Sequence, residues 1–447
     1  MSLKLTKRPI NMIMASAILT GLTVTACSDS EAPDTSSADT QSTDKQTSDA
    51  EAPELSHSKV LSGLENPWDI AFFNDGTMLY TEKCRGLSLR QTDGKVNPLL
   101  GMKDSQGFAT TEQDLFCKGQ AGMNGVAIDP NFENNRYIYV YSASNKTSPA
   151  TNRVLRLKLN ENFTKVSDRT DIVEDIPFKP QPTDHPFGAA GAHNGGRIQF
   201  GPENTFLYVT TGDNHNSRIP QDPQSLGGKV LRIDRNGNAA PDNGLPDKYD
   251  PRIYTYGHRN VQGLTFHPEN GQPVVTEHGP WHTDEVNMLV AGGNSGWDPK
   301  PNMAGRGDCP DDYCGYMPNQ KEGMDPEKRS EYMPMTDLET YPDAIRPVWQ
   351  NNQLSQGIST ADFLTGEQWG GWEGRLAVGF MGIGFGGTPV GNRIDLLDIA
   401  DDGQSVNDVT EMPLPMEPGR FRTIVQGPEG DLYAVMDEGI VYRLSPK

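Results

Sequence analysis

The chain has 447 residues and carries 60 acidic against 39 basic side chains, a formal net charge of −21. That balance excludes a nucleic-acid or anionic-membrane partner held by a broad basic face, so an anionic ligand needs a local cationic pocket. With 47 glycines and 34 prolines the composition is turn-rich, which favours many short strands over long helices.

The N-terminus reads as a processing signal. Lys4, Lys7 and Arg8 form a basic start, residues 12–24 are largely apolar, and Thr25 and Ala26 lead into Cys27. This order at residues 1–27 resembles a bacterial lipoprotein signal, so the chain is expected to be cleaved just before Cys27 to leave a lipidated Cys27 that anchors the protein to a membrane. A plain secretory peptide and an uncleaved anchor are the other readings. The expected location is the periplasmic side of the outer membrane or the cell surface. Residues 28–56 are Ser, Thr, Asp, Glu and Ala with few apolar side chains, and they bury too little surface to order. They read as an acidic tether ahead of a folded domain at 57–447.

Beyond Cys27 the cysteines are Cys84, Cys117, Cys309 and Cys314, an even number suited to an oxidising compartment. Cys309 and Cys314 flank a Pro-Asp-Asp loop and staple it if they pair, which leaves Cys84 with Cys117. A four-thiolate metal site is the rival, although the spacings are not two Cys-X-X-Cys pairs.

From about residue 59 an apolar run repeatedly meets an Asn, Asp, Gly or Pro-rich turn and a second strand follows. The segments are AFFNDGTMLYTE, AIDPNFENNRYIYVYSAS, QFGPENTFLYVTTGD, TFHPENGQPVVTEHG, DFLTGEQWGGWEGRLAVGF and VQGPEGDLYAVMDEG, each a hairpin signal. A third strand recurs after each: GLSLRQ, RVLRLKLN, GKVLRIDR, EVNMLV, RIDLLDI and GIVYRLS. Sheets this small cannot bury both faces alone, and stacking them around an axis solves the problem. The expected fold is all-β, a six-bladed β-propeller of antiparallel four-stranded blades, with residues 59–64 supplying the strand that closes the ring.

Propellers place ligand sites on loops at the channel mouth. His193 lies just before the inner strand of the third repeat and Asp213 just after its partner, so the hairpin brings both to one rim. There the carboxylate can fix the imidazole tautomer and leave the other nitrogen as a base. Gln120 before the second repeat, Arg259 and Asn260 before the fourth, residues 276–287 after the fourth hairpin, and Arg420 with Arg422 before the sixth occupy equivalent edges. His278 and His282 are four apart, but Gly279 and Pro280 between them would break a zinc-binding helix. His185, His215, His258 and His267 have no spacing that names a metal and read as loop or rim residues.

At HNGGRIQFGP, TTGDN, GHRNVQGL, EHGPWHTDEVN with GGNSGW, and GRFRTIVQGPEGDLY, the chain resembles the soluble quinoprotein glucose/sorbosone dehydrogenases, including aldose sugar dehydrogenases. The resemblance runs over about residues 59–445 and implies pyrroloquinoline quinone (PQQ) and Ca2+ as cofactors, a sugar substrate and an external electron acceptor, cytochrome or quinone. It makes His193 the base that takes the anomeric hydroxyl proton as hydride leaves for the quinone C5, oriented by Asp213. Arg259 would stabilise charge on the quinone oxygen and Asn260 would bind the cofactor beside it. The carbonyls of Gly279 and Pro280 would hold the calcium, and Gln120 would line the substrate side. Arg420 and Arg422, on one face of a strand, suit the carboxylates of a flat tricarboxylate.

Two positions depart from the family pattern. Gly382 stands where relatives carry a cofactor-binding lysine, with no lysine nearby in sequence; either Arg375 or Arg393 replaces the charge or the cofactor binds more weakly. Ser295 in GGNSGW stands where many relatives carry tyrosine, which argues against the family's additional structural calcium site. Residues 300–346 form a Pro, Asp, Glu and Met-rich insertion that either overhangs the rim or is a surface excursion. The competing functions are a non-catalytic binding propeller that has lost its cofactor, and a lactonase-type hydrolase whose calcium would need side-chain carboxylates.

Overall fold

The computed structural model describes residues 51–180, 190–280, 282–299, 330–331, 333–351, 354–383 and 391–447. Cys27, most of the tether, His185, Cys309, Cys314 and the greater part of the insertion lie outside the described residues.

The first strand, β1 (Leu55–Ser62), starts two residues ahead of the expected domain boundary at 57. Blade 1 follows as β2 (Pro67–Phe72), β3 (Met78–Glu82), β4 (Gly86–Arg90) and β5 (Val96–Gly101), with a short β6 (Thr110–Thr111) added in parallel to β5. Blade 2 is β7 (Met123–Ile128), β8 (Tyr137–Ser144), β9 (Thr151–Leu159) and β10 (Val166–Pro177). Blade 3 is β11 (Ile198–Phe200), β12 (Leu207–Thr210), β13 (Val230–Ile233) and β14 (Ile253–Thr255). Blade 4 is β15 (Val261–Phe266), β16 (Pro273–Glu277), β17 (Glu285–Met288) and β18 (Trp349–Gln350), and blade 5 is β19 (Ile358–Phe363), β20 (Leu376–Phe380), β21 (Arg393–Ile399) and β22 (Val406–Glu411). Blade 6 takes β23 (Phe421–Gln426), β24 (Leu432–Met436) and β25 (Ile440–Pro446) from the C-terminus and β1 from the N-terminus, paired antiparallel to β25.

The innermost strands β2, β7, β11, β15, β19 and β23 touch in that order, and β23 returns to β2, so the six blades form a closed propeller. The second strand of a blade is covered on both faces. Accordingly β3, β16, β20 and β24 are buried at every position and read as apolar runs rather than alternating strands. Six of the apolar clusters among the described residues each lie between two adjacent blades: Leu89 packs with Ile138 between blades 1 and 2, for example, and Tyr80 with Val435 between blades 6 and 1. Each blade is therefore half of two cores, and the ring is the smallest unit that buries them all.

Arg197, just before β11, crosses the channel and joins four blades. It pairs with Asp69 of β2, donates to Thr423 Oγ1 at 2.8 Å and to the Gln262 carbonyl at 3.2 Å, and lies 4.5 Å from the Trp68 ring centre. On one side of it lies a cavity of about 400 Å³ lined by the inner strands; on the other, a cavity of about 240 Å³ is lined by rim loops.

Candidate active site

The register of the β11–β12 hairpin, Ile198 opposite Val209 and Phe200 opposite Leu207, sends the segments before 198 and after 210 to one rim. His193 and Asp213 meet there as expected, with Nδ1 2.7 Å from Oδ1, both buried. The approach depends on Gly212, where a Cβ would stand 2.1 Å from the His193 carbonyl oxygen. His193, Asn214 and His215 all adopt left-handed backbone conformations, with φ of 50°, 56° and 58°. Asn and His tolerate that region better than most side chains, and such strain gathers at functional sites.

Asp213 is held from three further directions. Its Oδ1 also accepts the His215 amide at 2.9 Å, its Oδ2 accepts Trp297 Nε1 at 2.7 Å, and its own amide donates to the Arg259 carbonyl at 2.8 Å. The second imidazole nitrogen of His193 meets His215 instead of facing open space: the two Nε2 atoms are 2.6 Å apart, and His215 Nδ1 lies 3.0 Å from Nζ of buried Lys179. Burial, reinforced by Arg259, Lys179 and His278, holds the His193 imidazole well below the usual histidine range, so it is neutral. His215 is likewise held well down, by burial first and then by His193 and Lys179.

The 240 Å³ cavity lies beside this pair. Gln120 lines it while accepting the His193 amide at 3.0 Å. Asn260 also lines it, its Oδ1 accepting Gln262 Nε2 at 2.9 Å and the Gly195 amide at 3.3 Å. Arg420 and Arg422 converge on Asp437, through Nε donors at 3.2 and 2.9 Å, and Arg420 also donates to the Met381 carbonyl at 2.9 Å. Burial alone would raise the Asp437 carboxyl; the two guanidiniums hold it below its ordinary value. Arg259 donates to the carbonyl of His278, a residue of the cavity wall. The His278 ring is held down to about 4 by burial, opposed by Asp284 and reinforced by Arg259, Arg420 and Arg422, so all three arginines converge around it.

The cation expected near Gly382 comes from another blade. Gly382 forms part of the cavity wall, and Lys83, from the turn after β3, faces the same cavity with Nζ 2.9 Å from the Gly119 carbonyl. Burial lowers the Lys83 ammonium, Arg422 adds to that and Asp437 opposes it. Neither arginine named as a substitute lines the cavity. Arg375 pairs with Asp408 on the outer strand β22 at 3.0 Å, and Arg393 pairs with Asp395 at 2.8 Å and stacks 4.1 Å from the Phe380 ring centre. Lys83 thus brings a cation to the cavity wall that Gly382 shares, from a segment far away in sequence.

Gly279 and Pro280 form the turn after β16. A Cβ on Gly279 would lie 1.9 Å from the His282 carbonyl oxygen, and the Gly279 amide is tied to Asp284 Oδ1 at 3.0 Å. The carbonyls of both residues accept no hydrogen bond among the described residues. Among those residues no cluster of three or more His, Cys, Asp and Glu is placed to hold a metal. His282 bonds its neighbour Thr283, His258 is fixed by Glu277 and Thr255, and His267 packs edge-on against Phe363, so each has a local structural partner.

Sequence reasoning missed Lys83, Lys179, His215, Gln262, Trp297 and Asp437. Three carried a local signal: His215 stands two residues after Asp213, Gln262 two residues after Asn260 in GHRNVQGL, and Trp297 ends the GGNSGW segment. The others arrive from different blades, and only the ring brings them in.

The sequence model of the glucose/sorbosone dehydrogenase family matches residues 64–443. The chain is 26% identical over 406 residues to the aldose sugar dehydrogenase YliI of Escherichia coli, covering 89% of this chain and 94% of that one. It is 30% identical over 281 residues to quinoprotein glucose dehydrogenase B of Acinetobacter calcoaceticus, covering 57% and 54%. Among solved structures, the PQQ-bound aldose sugar dehydrogenase of Streptomyces coelicolor superposes with a TM-score of 0.61 at 23% identity, over 89% of this chain and all of that one. At that identity the likeness speaks for the fold.

Proposed function

The chain belongs to the glucose/sorbosone dehydrogenase family, and we propose that it oxidises aldose sugars, or related alcohols or aldehydes, using PQQ and calcium. The observation that carries this reading is the pairing of a neutral, carboxylate-oriented imidazole with an adjoining cavity whose wall holds Lys83, Arg420 and Arg422, the two guanidiniums anchored by Asp437. In a chain with a net charge of −21, such a cavity is a site for a small polyanion. Its donors suit a flat tricarboxylate: two guanidiniums offer paired N–H groups, Lys83 a point charge, and Asn260 and Gln262 amides. The cofactor, when bound, supplies the electrophilic carbonyl that accepts hydride, and calcium supplies a Lewis acid beside it.

The protein's own groups do the rest. Asp213 accepts a hydrogen bond from Nδ1–H of His193 and leaves Nε2 as the proton-accepting atom toward the sugar hydroxyl. Because burial keeps this ring neutral, its basic form is present across the neutral pH range. Gln120 fixes the His193 main chain and lines the sugar side of the cavity. Arg259, tied to the His278 carbonyl, places positive charge where negative charge develops. The carbonyls of Gly279 and Pro280 are assigned to calcium, a cation that prefers oxygen donors. A lipidated Cys27 and an external electron acceptor complete the proposal, with the protein held on the periplasmic side of the outer membrane or at the cell surface.

The test is reconstitution of the purified protein with PQQ and calcium, followed by dye reduction against a panel of aldoses. His193→Gln is expected to lower turnover by about 10²–10⁴-fold while leaving quinone binding, read by absorbance, intact. No quinone binding together with no turnover on any sugar would favour a binding propeller that has lost its cofactor, and quinone binding with no turnover would reject aldoses as the substrates.

A further inference from the structure

Four side chains form one buried row: Lys179 Nζ to His215 Nδ1 at 3.0 Å, His215 Nε2 to His193 Nε2 at 2.6 Å, and His193 Nδ1 to Asp213 Oδ1 at 2.7 Å. Hydrogen-bond chemistry fixes every proton along it. Both Asp213 oxygens receive N–H donors, from the His215 amide and Trp297 Nε1, which is the pattern of a carboxylate; His193 Nδ1 therefore carries the proton. A neutral His193 then accepts at Nε2, so His215 donates from its own Nε2 and accepts at Nδ1. An ammonium has donors only, and Lys179 supplies one there. The atom through which His193 would act as a base is thus the atom that His215 occupies.

We propose that His215, oriented by Lys179, is a positioning residue that masks Nε2 of His193, so that the sugar hydroxyl reaches the base by displacing the His215 N–H. This rests on His193 being the base of the proposed reaction. A cation on His193 would set two N–H groups against each other unless His215 moved its proton to Nδ1, against the Lys179 ammonium. The row therefore opposes protonation of His193 by hydrogen bonding as well as by burial. Among the described residues, the charged and titratable groups facing the two rings are Asp213 after β12, Lys179 after β10, Arg259 before β15 and His278 after β16.

The test uses the full chain with labelled histidine, its imidazole signals followed by NMR against pH and the His193 signal assigned through His193→Gln. His215→Asn removes the masking ring while suiting the left-handed backbone at that position. Lys179→Met keeps both imidazoles and frees the His215 tautomer. In each variant the His193 pKa is expected to rise by about one unit or more, and the acid limb of kcat/KM in the PQQ-loaded enzyme to move with it. An unchanged His193 titration in both variants would overturn the proposal, as would a shifted titration with an unmoved acid limb. The NMR arm needs neither quinone nor sugar, so failure of the wild-type enzyme to oxidise any aldose would count against the functional reading separately.

Discussion

Burial of two imidazoles in contact makes the stability of the protein depend on pH. His193 and His215 stay neutral well below the usual histidine value of 6.5, whereas in the unfolded chain each takes up a proton below about pH 6.5. The unfolded state then binds more protons, and stability falls as the pH drops below that value, by up to about 1.4 kcal/mol per pH unit for each ring. Glu285 acts in the opposite sense. Burial, reinforced by Glu277, raises its carboxyl to about 8, so its contribution is complete below the unfolded carboxyl value and is lost as pH rises through about 8. Because Glu285 is common to both proteins, the difference in guanidinium unfolding midpoint between the wild type and a His193→Gln, His215→Asn double variant is expected to shift in favour of the wild type from pH 5 to 6.5; a difference that does not change with pH would refute the buried neutral pair. The two ends of this arrangement differed in legibility. His193 and Asp213 could be read because one hairpin joins them, while Lys179, at the end of blade 2, reaches His215 only because the loops after β10 and β12 meet at the rim.

At the scale of elements, the loops that carry the site are tied covalently. Cys84 and Cys117, 33 positions apart in sequence, form a disulfide with Cα atoms 5.0 Å apart. Lys83 precedes one cysteine and Gln120 follows the other by three, so the bond fixes the two segments that bring these side chains to the cavity. Replacing both cysteines with serine is expected to lower unfolding free energy by about 3–4 kcal/mol through loop-closure entropy, measured by chemical denaturation, and to weaken quinone binding. Unchanged binding would show that the strands alone position Lys83. The end of the insertion also reaches the site, since Met333 and Met335 pack on Trp297, whose indole holds Asp213. The six hairpins were legible because each second strand opens on an apolar run directly after a turn. Outer strands were not: β22 exposes almost every side chain and β1 has only Leu55 fully buried. A strand of that kind belongs to the sheet through main-chain hydrogen bonds, which leave no hydrophobic pattern, and this is why the closing strand was expected at 59–64 and lies at Leu55–Ser62.

The molecule as a whole sets a small cationic cavity inside a strongly acidic envelope, and the two fields act on a bound polyanion at different distances. Lys83, Arg420 and Arg422 act at contact range inside the cavity, opposed by Asp437, while the exposed Glu438 carboxylate holds the Arg420 amide from the outside. The remaining negative charge, much of it on outer strands and loops, acts over longer range and repels an approaching anion. Raising ionic strength from about 0.01 M to about 0.15 M shortens the Debye length from about 30 Å to about 8 Å. That change removes most of the long-range repulsion but screens the buried contacts far less. Quinone association, followed by stopped-flow absorbance, is therefore expected to accelerate with salt over this range while dissociation stays nearly constant, the opposite of what a basic-surfaced protein would do with the same ligand. Lys83→Met should leave the salt-dependent acceleration in place, because one charge hardly alters the envelope, and raise the dissociation rate by about tenfold or more through loss of a charged contact. Association that slows with salt, or a Lys83→Met variant with unchanged dissociation, would place the anion elsewhere than in this cavity.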